Sequence, residues 1–236
     1  MANVIEQGGF LIFPTTGLRR QLELARFLKV QRWDGFSPPQ KPSLDEEALA
    51  RFTRELDAST GYLEFGSGGS TVLADRRSVR TVSVESDRFY ARVVRSQLTP
   101  ATTVKVLDVY LGLTGLWSYP VFQKPTRRRQ GRWRRYVQRP FDQLREDGWF
   151  PDFVLVDGRF RRACVLETVR RAITENQELT LMVDDYFNVD RSHYEAVESW
   201  LGRPERVGRA ALFIVNKAVT KSPTPKDVEN AITDFR

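Results

Sequence analysis

Two hydrophobic periodicities divide the chain. Over residues 1–58 the apolar positions recur at helical spacing, first as Leu18, Leu22, Ala25 and Leu28, then as Leu49, Phe52 and Leu56. Between the two stripes, QRWDGFSPPQKP interrupts the helix with a glycine and three prolines, and Ser43 followed by Glu46 has capping-box spacing. From residue 59 onward the pattern changes. Short apolar runs suited to strands appear at YLEF (62–65), TVSVE (81–85), TVKVLDV (103–109), DFVLVD (152–157), LTLMVDD (179–185) and ALFIV (211–215). Most are separated by helical stripes such as Phe89, Val93, Val94 and Leu98, or Val165, Leu166, Val169 and Ile173. Tyr194, Val197, Trp200 and Leu201 form another. Such alternation predicts right-handed crossovers and an α/β fold with a mostly parallel sheet covered on both faces. The expected organisation is a helical N-terminal segment, 1–58, followed by an α/β domain, 59–236.

Composition narrows the setting. The 236 residues are 41% hydrophobic and 28% charged, as expected of a globular chain able to bury a core. The longest apolar runs are too short to cross a bilayer, so no membrane partner is expected. Met1 is not followed by a basic region and an apolar core, which argues against a secretory signal and for a cytoplasmic location. Cys164 is the only cysteine, excluding an intramolecular disulfide and a cysteine-based zinc cluster. The net charge of +7 is local. Residues 124–140, KPTRRRQGRWRRYVQRP, hold seven arginines and one lysine without an acid; removing those eight charges from +7 leaves the remainder at −1. One basic insert is weaker support for a nucleic-acid partner than a uniformly basic surface.

In open parallel sheets, ligands bind beyond the carboxyl ends of the strands. Each of the first five runs ends in or beside a carboxylate: Glu64, Glu85, Asp108, Asp157, and the pair Asp184 and Asp185. The first run turns into a helical pattern through Glu64-Phe-Gly66-Ser67-Gly68-Gly69-Ser70. Glycines there permit a tight turn and close approach of a ligand to the backbone. The dinucleotide spacing Gly-x-Gly-x-x-Gly is not met, because Thr71 stands at the third position. An acid two residues ahead of the first glycine suits a ligand with a positive group better than a pyrophosphate.

Glu-x-Gly-x-Gly-x-Ser, with a second acid ending the next strand, resembles motif I and its partner in class I S-adenosylmethionine-dependent methyltransferases. The likeness spans residues 60 to 216 and departs from the family at Ser70, where the last motif glycine belongs. It implies a Rossmann-like seven-stranded sheet with S-adenosylmethionine as cofactor. By the same resemblance, Gly66, Ser67, Gly68, Gly69 and Ser70 would line the methionine moiety, and Glu64 would sit near its ammonium. Glu85 would accept the ribose hydroxyls, and Asp108 would lie near the adenine. The spacing of Glu85, nineteen residues past Gly66, independently suits a ribose contact.

On the acceptor side, VLVDGRF and LMVDDYF end strands expected to be neighbours, so Asp157, Asp184 and Asp185 are expected to converge. Three carboxylates in one small site repel unless a hard cation neutralises them, and oxygen ligands suit Mg²⁺. This layout resembles metal-dependent O-methyltransferases that act on sugar hydroxyls, in which the metal lowers the hydroxyl pKa. The alternative is that Asp184 and Asp185 cap the following helix. Asp157 and His193, the only histidine, are the candidate catalytic groups, and Asp190 reads as an N-cap. Trp117 and Tyr119 suit either stacking or the core. Arg159, Arg161 and Arg162 suit either an acceptor carboxylate or an ordinary first helical turn.

The expected function is therefore O-methylation of a hydroxyl on a sugar, glycan or other small acceptor. The basic insert admits three readings: a nucleic-acid phosphate site, a grip on an anionic acceptor, or a solvated mobile lid. An RNA or DNA methyltransferase is the first alternative, against which VDGRF lacks the Asn/Asp-Pro-Pro-aromatic motif of the amino-methylating enzymes. The second is a non-catalytic methyltransferase-like binding module.

Overall fold

The computed structural model describes residues 18–187, 192–219 and 221–235; Asp190 and the side chain of His193 lie outside what is described. A seven-stranded sheet forms the centre. Its strands are β1 (Tyr62–Phe65), β2 (Thr81–Glu85), β3 (Val104–Asp108), β4 (Phe153–Val156), β5 (Leu179–Val183), β6 (Glu205–Val207) and β7 (Ala210–Val215). They run in the order β3-β2-β1-β4-β5-β7-β6. β1 pairs in parallel with both β2 and β4, so strand order reverses there, while β7 lies antiparallel between β5 and β6. The sequence pattern marked six of these strands. The edge strand β6 escaped it because only Val207 of its three residues is buried, leaving no apolar run.

Strand alternation sorts the side chains to two faces. Leu63, Phe65, Val154, Val156, Leu181 and Val183 pack against α5 (Arg127–Glu146) and α6 (Arg161–Thr174). Tyr62, Phe153, Leu155 and Met182 face the other way, onto Ala48, Phe52 and Leu56 of α2 (Glu46–Ala58). The ring of Phe52 lies 5.7 Å from Tyr62 and 5.6 Å from Phe153. The second predicted helix is thus a layer on the sheet. Its N-cap is Asp45, which accepts from the Ala48 amide at 3.0 Å, in place of Ser43. Asp45 also accepts from the Arg209 amide at 2.9 Å, a tertiary tie that favours it over its neighbour.

The first helix, α1 (Leu18–Lys29), buries a different stripe from the predicted one. Leu22 is 51% exposed, whereas Phe27 and, just beyond the helix, Gln31 are buried. The reason is where α1 leads: Phe27 packs against Phe36, and Phe36 against Tyr90 of α4 (Arg88–Arg95), away from the sheet. The basic insert is also more ordered than a lid. Residues 127–140 form the first two thirds of α5, the crossover from β3 to β4, with Trp133, Tyr136, Val137 and Pro140 buried. Among the described residues no helix is long and apolar enough to cross a membrane.

Candidate active site

The two glycines at the strand reversal are set by backbone contact. Gly66, ending β1, has φ +102°, and a Cβ there would meet the Asp157 carbonyl and the Gly158 amide at 2.9 Å. Only a hydrogen fits between the ends of β1 and β4, and the positive φ disfavours any L side chain. Gly66→Ala is therefore expected to cost about 3 kcal/mol of stability, read as a lower urea midpoint with unchanged m-value. A midpoint within experimental error of the wild type would show that these strand ends are not in contact. Gly69 meets a different neighbour: its Cβ would overlap the backbone of Lys41 and Pro42, so the connection before α2 seals one side of the loop. Gly68 is less crowded: a Cβ there would make ordinary contact with the Tyr90 hydroxyl at 3.8 Å.

Glu64 belongs to the face of β1 that looks onto α3 (Gly69–Arg76), which explains its complete burial. Its carboxylate accepts from the hydroxyls of Tyr62 at 3.0 Å, Ser70 at 2.6 Å and Thr71. Burial raises its pKa, and the hydroxyl donors pull it back. Thr71 in turn accepts from the Gly68 amide at 2.8 Å, while Ser67 and Ser83 lie 2.5 Å apart. The acid therefore holds the glycine loop from beneath through side chains of that loop.

Glu85 is arranged differently. Ending β2, it is nearly buried, and its hydrogen bonds all reach Oε1: the amides of Ser86 at 2.6 Å and Asp87 at 2.8 Å, and the hydroxyls of Ser86 and Ser118. Among the described residues no donor reaches Oε2. Burial pushes the Glu85 pKa up to about 7, against the pull of the two amides, with Asp87 adding a little repulsion. Tyr90 stands above the same cleft, its hydroxyl kept protonated by burial and by Glu85, Glu64 and Asp157, with a pKa pushed to about 12. Gln31 closes the edge by donating to Asp87 at 2.5 Å. Tyr90, Gln31 and Ser118 carried no signal in the sequence, since each reaches the cleft from a segment without a motif. Asp108 lies beside Glu85 in register but is exposed and paired with Arg95 at 3.0 Å.

The acids after β4 and β5 converge as expected: Asp157, Asp184 and Asp185 place carboxylate oxygens within 4.8 Å of one another. Two arginines stand among them. Arg161 is buried and bridges Asp157 at 2.9 Å and Asp185 at 3.5 Å, while donating to the Asp184 carbonyl at 2.6 Å. Arg209 grips both oxygens of Asp184, at 3.0 and 2.9 Å, and reaches Asp185 at 3.1 Å. The expectation of Mg²⁺ rested on three carboxylates lacking a counter-charge, and that premise does not hold here. Asp184, 1% exposed, has both oxygens committed to a guanidinium, so the set does not fit a three-carboxylate cation site. Burial raises the Asp157 pKa to about 7, opposed by Arg161 and reinforced by Asp184 and Asp185. Arg161 thus serves the acids, not an acceptor; Arg159 lies 4.2 Å over the Tyr119 ring.

No family model matches the chain, and no curated protein matches it. Among solved structures, a methyltransferase-like protein from Silicibacter pomeroyi shares 31% identity over 83% of this chain and 98% of its own, with a TM-score of 0.66. The chain belongs to that methyltransferase-like family. Cofactor-bound Rv0187 from MTB is more distant, at 18% identity over 82% of this chain and 89% of its own, with a TM-score of 0.49. In the methyltransferase-like chain, the loop at Gly66 and Glu85 occupies the strand reversal, where α/β sheets bind ligands. The paired acids border it through the contact of Gly66 with Asp157 and Gly158.

Proposed function

We propose that the chain is an S-adenosylmethionine-dependent methyltransferase acting on a hydroxyl oxygen of a sugar or other small acceptor. The observation that carries this reading is Glu85, at a strand end beside the glycine loop, whose Oε2 accepts from no donor among the described residues. A carboxylate oxygen left open on an otherwise buried side chain can accept from a ligand, and a pair of ribose hydroxyls supplies that chemistry. Gly68 lets a ligand approach the loop backbone, Tyr90 covers it, and Glu64 stiffens it through Ser70 and Thr71. In this role Glu64 acts on the ammonium end through the loop. S-adenosylmethionine, when bound, supplies an electrophilic methyl group on a sulfonium.

Asp157 is the proposed proton acceptor. Its Oδ1 is held by Arg161, which leaves Oδ2 to take the acceptor hydroxyl's proton as that oxygen receives the methyl group. A pKa near 7 suits a base working near neutral pH. His193 is the alternative base.

The reading is tested by calorimetry of the full chain with S-adenosylhomocysteine; absence of binding sinks it. The acid cluster yields a separate expectation. With Arg161 and Arg209 as counter-charges, EDTA should leave the methylation rate unchanged, and Asp157→Asn should lower kcat with little change in cofactor affinity. Rate loss on chelation with recovery on Mg²⁺ addition would restore the metal to the site.

A further inference from the structure

A second surface adjoins this site. The loop between β3 and α5 touches both of its halves, since the Ser118 hydroxyl reaches Glu85 at 3.4 Å and the Tyr119 ring lies under Arg159. Trp117 and Ser118 both take left-handed backbone conformations, with φ 54° and 59°, and Trp117 is held 59% exposed. Two more large rings are exposed nearby in the chain, Tyr110 at 58% and Phe122 at 56%. Each carries an arginine from α5 on its face: Arg132 at 4.8 Å from Tyr110 and Arg129 at 5.2 Å from Phe122.

The charge on α5 is arranged in the same place. As the crossover into β4, the helix begins at the carboxyl edge of the sheet, the edge that carries Glu85 and Asp157. Arg128, Arg132 and Arg135 follow one another at i, i+4 and i+7, about 6 Å and then 5 Å apart along the axis, opposite the buried stripe of Trp133, Tyr136 and Val137. Arg128 and Arg135 are exposed and make no ion pair among the described residues. Three arginines fill the first turn without an acid, opposing the helix dipole. Among the described residues the helix charge is answered at Arg134 with Glu229, Arg139 with Glu146 and Arg145 with Asp142. Folding does not need this concentration of positive charge at the rim.

We propose that this surface binds single-stranded nucleic acid, with phosphates along the arginine row and bases stacked on Tyr110, Trp117 and Phe122. Exposed aromatic faces beside a continuous cationic row are what a single strand requires, and a base-free polyanion uses only the second. The inference goes beyond the methyl-transfer reading, which concerns a small acceptor, and the binding does not depend on methyl transfer.

The test is fluorescence anisotropy of the full chain with a labelled, unstructured 12-nucleotide RNA across a series of KCl concentrations. Replacing Arg128, Arg132 and Arg135 together by Ala should flatten the log–log salt slope by about 2, given ~0.7 per phosphate contact on single strands. Y110A/W117A should weaken binding about tenfold with the slope unchanged. Competition by inorganic polyphosphate of equal charge as effective as unlabelled RNA would overturn the proposal, as would wild-type binding by Y110A/W117A. Calorimetry with S-adenosylhomocysteine on the same preparations keeps the two readings apart. Cofactor binding without RNA binding sinks this inference alone, and RNA binding without cofactor binding sinks only the methyl-transfer reading.

Discussion

Glu85→Ala is expected to weaken S-adenosylhomocysteine binding about a hundredfold or more. Two hydroxyl donors to an ionised carboxylate are worth about 1.5–3 kcal/mol each, and 1.4 kcal/mol is tenfold in affinity. The pH dependence carries a sign that packing alone would not produce. Burial raises the Glu85 pKa from 4.5 to about 7, so in the free protein this carboxyl opposes folding progressively as pH climbs through that window. Ribose hydroxyls donate to the ionised form, so binding must expel the proton below pH 7. Affinity is therefore expected to rise with pH and level off above about 7, with roughly a tenfold deficit at pH 6. Glu85→Gln, which cannot titrate, should bind weakly with a flat profile between pH 6 and 8. Calorimetry across that range decides it: a flat wild-type profile would remove Glu85 from the binding site.

Arg209→Ala is expected to lower the unfolding free energy by about 3–5 kcal/mol, because it leaves a buried carboxylate without its partner. Asp184 is 1% exposed and cannot turn to water for compensation. Arg209 also donates to the Ser43 carbonyl, so its loss loosens the attachment of the N-terminal segment to the sheet. A double-mutant cycle with Asp184→Ala isolates the pair: the double variant should recover more than 2 kcal/mol relative to the sum of the singles. Additive effects, measured by urea denaturation with unchanged m-values, would show that the pair contributes little.

The glycine loop and the strand-end acids were legible because their determinants are local. A strand that ends in Glu64 and turns through Gly66 and Gly68 announces a ligand loop, and Glu85 one crossover later completes the pattern. The occupancy of those acids was not legible. The resemblance sets Glu64 near the ammonium of the ligand, and strand alternation puts it beneath the loop, where Tyr62, Ser70 and Thr71 surround it. Ser43 and Asp45 offered competing caps, and the choice fell to the one that also meets the Arg209 amide. Asp157, Asp184 and Asp185 converge as their strands implied, but their counter-charges come from the next helix and from a turn 24 residues further on.

By itself the sequence determined the fold class, the crossover order and the strand-end acids, since period-2 and helical stripes and glycine turns depend on neighbours along the chain. The tertiary structure alone decided what those acids meet. β7 enters the sheet antiparallel beside β5, pairing Ala211 with Val183, and thereby delivers Arg209 to the end of the parallel strands. No periodicity encodes that meeting. Charge is also answered in space rather than in sequence: three converging carboxylates called for a cation along the chain, and two guanidiniums stand among them in the fold. The arginine-rich insert follows the same rule: its composition left a phosphate site, an anion grip and a mobile lid open, and the buried face of Trp133, Tyr136 and Val137 makes it a helix.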